Sequence, residues 1–327
     1  MLDLERQMAK RHPRWFQGPH ARLVKPLLGK VQKVSRLAEA SDFLETHGHL
    51  RGLAFVEAAL RYLDVRYTVD QVERERIPET GRLLVVANHP SGALDALALL
   101  HLVGSVRRDV RVVANDLLGA VSPLRDLLLP VRIVGGRPTA ESLRAVEAAL
   151  EQEQCVIVFP AGEVSRLGWR GVRDGRWRRG FLRFARSTNT PVLPVQVQAR
   201  NSALFYGVSA LYRPAGMLLL AREVFARRGS RIGLRFGHAR HIAADETDAR
   251  ALSAVRQALG AIGSRREAKP QGPQPLAHAV DRRLLVRELS RLPLLGRTPD
   301  GKRIHAGPLA ADSPLLREIG RLRELTF

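Results

Sequence analysis

Apolar residues fall into two textures along the 327 residues. Up to about residue 80 they recur at helical spacing, and a helical region over 1–80 is expected. Within 23–37 the stripe is Leu23, Val24, Leu27, Leu28, Val31, Val34 and Leu37, opposed by Arg22, Lys25, Lys30, Lys33 and Arg36. Such a helix either lies in an anionic bilayer surface or packs on a core with its cations solvated. From residue 81 short apolar runs take over, at 83–87 (LLVVA), 110–114, 131–134, 155–159 (CVIVF), 192–197 and 232–236. Helical stripes lie between them, over 139–152 and 177–187. This alternation predicts an α/β core over 81–266, a mostly parallel central sheet covered by helices. Runs without polar interruptions fit strands buried on both faces.

A Pro/Gln/Gly-rich linker at 267–276 follows, then a helical tail over 277–327. One tail stripe carries Leu284, Leu285, Leu289 and Leu292. The other starts at a Ser-Pro cap signal and carries Leu315, Ile319, Leu322 and Leu325.

Charge narrows the partners. Lys and Arg number 53 against 32 Asp and Glu, a formal +21, so an anionic partner is expected: a nucleic acid, an acidic membrane face or a phosphorylated substrate. The basic residues are dispersed and aromatics make up only 5 %, which argues against nucleic-acid binding. Cys155 is the sole cysteine and reads as a small buried apolar residue. The first residues lack a secretory apolar core, and no run approaches the ~20 apolar residues of a spanning helix. His47 and His49 lack the cysteine or carboxylate company of a metal site, and no metal or cofactor is expected.

Two segments carry chemistry. Asn88-His89-Pro90-Ser91-Gly92-Ala93-Leu94-Asp95 follows the run LLVVA and opens a helical stretch, where α/β folds place active groups. Imidazole suits proton transfer near neutrality, and Asp95 is close enough to orient it. On the residues alone, a proton-transfer dyad and a merely structural His–Asp pair both remain open. Phe159-Pro160-Ala161-Gly162-Glu163-Val164-Ser165-Arg166 ends the run CVIVF. It offers an acceptor, a hydroxyl and a guanidinium, and Arg166 has the fork to hold a phosphate or carboxylate bidentately. A polar turn with a solvated Arg is the alternative.

NHPSGALD and FPAGEVSR resemble the first and third motif blocks of the glycerolipid acyltransferase superfamily, the lysophosphatidic acid acyltransferase-like enzymes. The resemblance is closer to the hemolysin-like branch with its lyso-ornithine-lipid O-acyltransferases. It covers roughly residues 50–265. It implies that His89 and Asp95 are catalytic, and that Gly162, Glu163, Ser165 and Arg166 hold the acceptor's polar head. Thr190-Pro191-Val192-Leu193-Pro194-Val195 resembles the fourth block. Trp177-Arg178-Arg179-Gly180-Phe181 resembles the basic segment before it, making Arg179 a second anion contact. The second block is poorly marked, with Arg125, Arg132 and Arg137 as candidates. Two departures stand out: the spacing is His-x5-Asp rather than His-x4-Asp, and Ala161 replaces the usual acid, with Glu163 after the glycine.

The resemblance implies transfer of a fatty acyl group from acyl-CoA or acyl carrier protein to a lysolipid hydroxyl. It places the chain on the cytoplasmic face of the inner membrane as a peripheral protein. The tail from Leu316 to Phe327 resembles the opening of an N-acyltransferase domain of ornithine-lipid synthesis, which implies such a domain as a partner; a simple C-terminal helix is the alternative. The competing readings are a non-catalytic membrane-binding relative and a basic nucleic-acid-binding protein.

Overall fold

The computed structural model describes residues 37–115, 118–119, 121–131, 138–168, 171–201, 222–264, 267 and 275–326. The basic amphipathic stretch of 23–37, apart from its last residue, lies outside them, as do Arg132, Arg137 and most of the linker.

Seven strands form one sheet in the order β1-β9-β8-β2-β5-β3-β4. They are β1 (Arg66–Val69), β2 (Leu83–Ala87), β3 (Val110–Asn115), β4 (Leu128–Val131), β5 (Cys155–Val158), β8 (Val192–Gln198) and β9 (Arg231–Phe236). From β8 to β4 all neighbours are parallel, β9 is antiparallel to β8, and β1 is parallel to β9. The mostly parallel sheet expected from the alternating pattern is therefore present. In the centre, Val85 lies opposite Ile157 on one side and Leu193 on the other. All five residues of β2 are fully buried, each of its leucine and valine side chains contributing roughly 1.5–3 kcal/mol.

Helices cover both faces. Leu83, Val85 and Ala87 face the layer made by α2 (Gly52–Tyr62) and α4 (Ala93–Gly104), with α1 (Leu37–His47) beyond them. Leu84 and Val86 face α5 (Ala140–Glu151), α6 (Gly180–Ser187) and α7 (Asp248–Ala261). After β2 the chain leaves over the first face, through α4 to β3. After β5 it leaves over the second, through α6 to β8. Adjacent strands whose continuations part to opposite faces open a crevice at their carboxyl ends. The loop carrying His89 starts there.

The structure differs from expectation in four places. The region read as purely helical contributes an edge strand, β1, preceding the short α3 (Gln71–Arg74). β4 spans Leu128–Val131 rather than starting at 131; its exposed Pro130 is tolerated because β4 is an edge strand. A small antiparallel hairpin, β6 (Arg166–Gly168) with β7 (Gly171–Arg173), follows the FPAGEVSR turn. In the tail, β10 (Leu294–Arg297) and β11 (Arg303–His305) form a second hairpin between α8 (Arg282–Leu289) and α9 (Pro314–Thr326).

The tail is tied to the core by polar contacts. His278 Nε2 meets Ile77 O at 2.6 Å, Ala279 N donates to Glu79 at 3.2 Å, and Arg317 pairs with Glu75. Leu316, Ile319, Leu322 and Leu325 of α9 remain exposed. Among the described residues no helix is long and apolar enough to cross a membrane.

Candidate active site

Asp95 sits in the first turn of α4, where main-chain N–H groups and the positive end of the helix dipole face it. Its side chain is 0 % exposed. A carboxylate so buried needs donors. Oδ2 accepts from Ser91 N (2.8 Å) and Gly92 N (3.1 Å), and Oδ1 accepts from Ser91 Oγ. The turn that wraps these donors round the carboxylate passes through Gly92 at φ 74° and ψ −128°, the mirror of the β region, which glycine adopts freely.

His89 Nδ1 lies 3.2 Å from Asp95 Oδ2, and the imidazole is 17 % exposed. The approach is oblique, at ion-pair distance without the alignment of a straight hydrogen bond. The ring stacks on Phe159 at the end of β5, with centroids 4.0 Å apart and planes at 26°. The extra residue in His-x5-Asp thus still brings the two side chains together.

The main chain around His89 is held from several sides. Asn88 Nδ2 donates to Val197 O (2.9 Å) and Asn88 Oδ1 accepts from Val197 N (2.7 Å). His89 N donates to Asp174 Oδ1 (3.1 Å), and His89 O accepts from Ser165 N (2.8 Å). Asn201 Nδ2 donates to Pro90 O (3.0 Å).

The other residues expected at the site lie on the turn after β5 and on neighbouring elements. Gly162 turns the chain after β5 at φ 65°, its N–H donating to Phe159 O at 3.0 Å. Ser165 is buried; its hydroxyl donates to Asp174 Oδ1, so it ties loops together instead of facing an acceptor. Glu163 is exposed and packs so close to Gly175 that a Cβ there would lie 2.8 Å from Oε1. Arg166 opens β6 opposite Arg173, and only its main chain is described. Arg179 caps α6 and turns towards Asp248 on α7, Nη1 to Oδ2 3.9 Å. With Arg183 and Arg186 it lines an open groove of about 530 Å³ that includes none of the dyad loop. Arg125 is exposed in the 3-10 turn Ser122–Leu127. Among the described residues no group of three or more His, Cys, Asp or Glu side chains could hold a metal ion.

Sequence reasoning missed two site residues. Ser91 lies inside the dyad motif and had a local signal, its spacing of four from Asp95. Asp174 had none.

Residues 29–261 match the family described as acyltransferase, and the chain belongs to that family. A lyso-glycine lipid O-acyltransferase of Phocaeicola vulgatus is 30 % identical over 206 residues, 61 % of this chain and 73 % of that protein. One of Bacteroides thetaiotaomicron is 28 % identical over 244 residues, 72 % of this chain and 87 % of that protein. Among solved structures, the 1-acyl-sn-glycerophosphate acyltransferase PlsC from Thermotoga maritima aligns with a TM-score of 0.42 at 18 % identity, over 73 % of this chain and 94 % of that one.

Proposed function

We propose that this chain is an O-acyltransferase that moves a fatty acyl group from a thioester to the hydroxyl of a lysolipid bearing an amino-acid head, glycine or ornithine, with His89 as general base. The observation that carries the reading is the approach of His89 Nδ1 to the buried Asp95 at 3.2 Å, just past the carboxyl end of β2. The lyso-glycine lipid relatives support the acceptor class.

With Nδ1 turned to Asp95, Nε2 is left to take the proton of the acceptor hydroxyl. The oxygen attacks the thioester carbonyl, the C–S bond breaks, and the leaving thiolate takes the proton back from the imidazolium. Asp95 offsets the imidazolium charge while it lasts. Positioning and proton transfer are enough, because a thioester is already reactive. Arg166, at the head of β6, is the group suited to an acidic head. Acyl-CoA and acyl carrier protein both satisfy this chemistry as donor.

The net charge of +21 and the lipid acceptor support a peripheral place on the anionic cytoplasmic face of the inner membrane. The exposed Leu316, Ile319, Leu322 and Leu325 of α9 support a packing partner there, such as an N-acyltransferase domain.

The test is transfer of a labelled acyl group from acyl-CoA and from acyl carrier protein to a panel of lysolipids. The reading requires product with a lyso-glycine or lyso-ornithine lipid. Transfer to lysophosphatidate alone would refute the acceptor class, and no transfer to any acceptor would refute the activity.

A further inference from the structure

We infer that Asp174 is a positioning residue for His89. Its carboxylate gathers three donors, one from the His89 loop and two from its own segment between β5 and α6. His89 N–H donates to Oδ1 at 3.1 Å, the Ser165 hydroxyl donates to the same oxygen, and Trp177 Nε1 donates to Oδ2 at 2.9 Å. Ser165 N closes the ring by donating to His89 O at 2.8 Å. Both polar groups of the His89 residue's main chain are thereby clamped by the segment between β5 and α6. Two of the side chains on the clamp are well enclosed, Ser165 being 1 % and Trp177 5 % exposed, while Asp174 itself is half-buried.

The consequence is directional. Asp95 fixes where Nδ1 points, and Phe159 fixes the plane of the ring, but neither fixes the Cα from which the imidazole hangs. Asp174 holds it through the residue's own N–H, beside the anchors that Asn88 and Asn201 give its neighbours, and it couples that Cα to the turn carrying Glu163 and Arg166. A base and an acceptor-binding turn that share one anchor keep their separation, and an error of about 1 Å in such a separation is enough to cost ~100-fold in rate. Asp174 touches no reacting atom in this scheme; it acts through His89.

The inference rests on the proposed role of His89, so the experiment includes both. Acyl transfer is measured for wild type, His89→Ala, Asp174→Ala and Asp174→Asn, with kcat and KM resolved and thermal midpoints recorded. Asp174→Ala is expected to lose ~100-fold in kcat with KM for the lysolipid changed less than about threefold. Asp174→Asn keeps an acceptor oxygen for His89 N–H and is expected to recover about tenfold of that loss. A folded Asp174→Ala with kcat within about threefold of wild type, or an Asn variant no better than Ala, overturns the inference. Should Asp174→Ala not fold, Asp174→Asn decides alone: about tenfold lower kcat supports the inference and wild-type kcat overturns it. Activity retained in His89→Ala would instead remove the parent reading, whatever Asp174 does.

Discussion

The carboxamide of Asn88 makes a two-point hydrogen bond with the main chain of Val197, extending the pairing of β2 and β8 by one rung after the strand itself has ended. Only one orientation of the amide satisfies both the N–H and the carbonyl of Val197, so the residue before His89 is locked in place. Asn88→Ala leaves both groups of a buried residue unpaired, and is expected to cost about 1–3 kcal/mol of stability. Urea unfolding measures it.

Ser91 supplies two donors to Asp95, one from its main chain and one from its hydroxyl. Ser91→Ala removes only the second, from a carboxylate with no solvent to replace it. The loss of a hydrogen bond to a charged group is expected to destabilise by about 1.5–3 kcal/mol. Activity should fall as well, because Asp95 then has freedom to rotate away from His89. Unfolding and transfer measured on the same sample check both; a variant unchanged in both would show that the hydroxyl does not hold the carboxylate.

Gly92 lies at φ 74° and ψ −128°, where an L side chain is strained whatever space surrounds it. Gly92→Ala is expected to lose about 1–3 kcal/mol, with transfer reduced by more than the stability change explains, because the strained turn carries the donors of Asp95. The thermal midpoint and the transfer rate are the two readouts.

Burial pushes the thiol of Cys155 up to about 12, against a smaller lowering by Arg107. Folded protein at pH 8 therefore holds no thiolate there, and a maleimide should label the chain only after denaturant is added. The unfolded thiol releases its proton near its ordinary value, about 8.5, so the contribution of this group is complete below that pH and is lost as pH rises towards about 12. Unfolding titrations across the alkaline range, comparing wild type with Cys155→Ala, measure it.

The parts of the fold that could be read from sequence are those whose burial is total. LLVVA and CVIVF carry no polar residue because β2 and β5 are covered on both faces, and both strands lie where the runs do. Less could be read where pairing is remote or one-sided. β1 is an edge strand of four residues, RYTV, whose alternation of polar and apolar positions is too short to stand out from the helical stripes around it, and its partner lies about 165 positions away. Pro130 concealed β4, since proline argues against a central strand and only the sheet order shows β4 to be an edge. At the site, the His89–Asp95 pair was legible because both residues belong to one strand-loop-helix unit. Asp174 was not: its bond to His89 spans 85 residues, and its neighbours, DGRWRRG, read as a basic loop. The approach of Arg179 to Asp248, across 69 residues, was not legible either.

Proton transfer by the imidazole of His89 is read out by the rate of acyl transfer from a labelled thioester to a lyso-amino-acid lipid, measured for wild type and for His89→Ala with folding checked by circular dichroism. A loss of about 10²–10⁴-fold with secondary structure intact is expected. A folded His89→Ala enzyme that transfers acyl groups at the wild-type rate would contradict it.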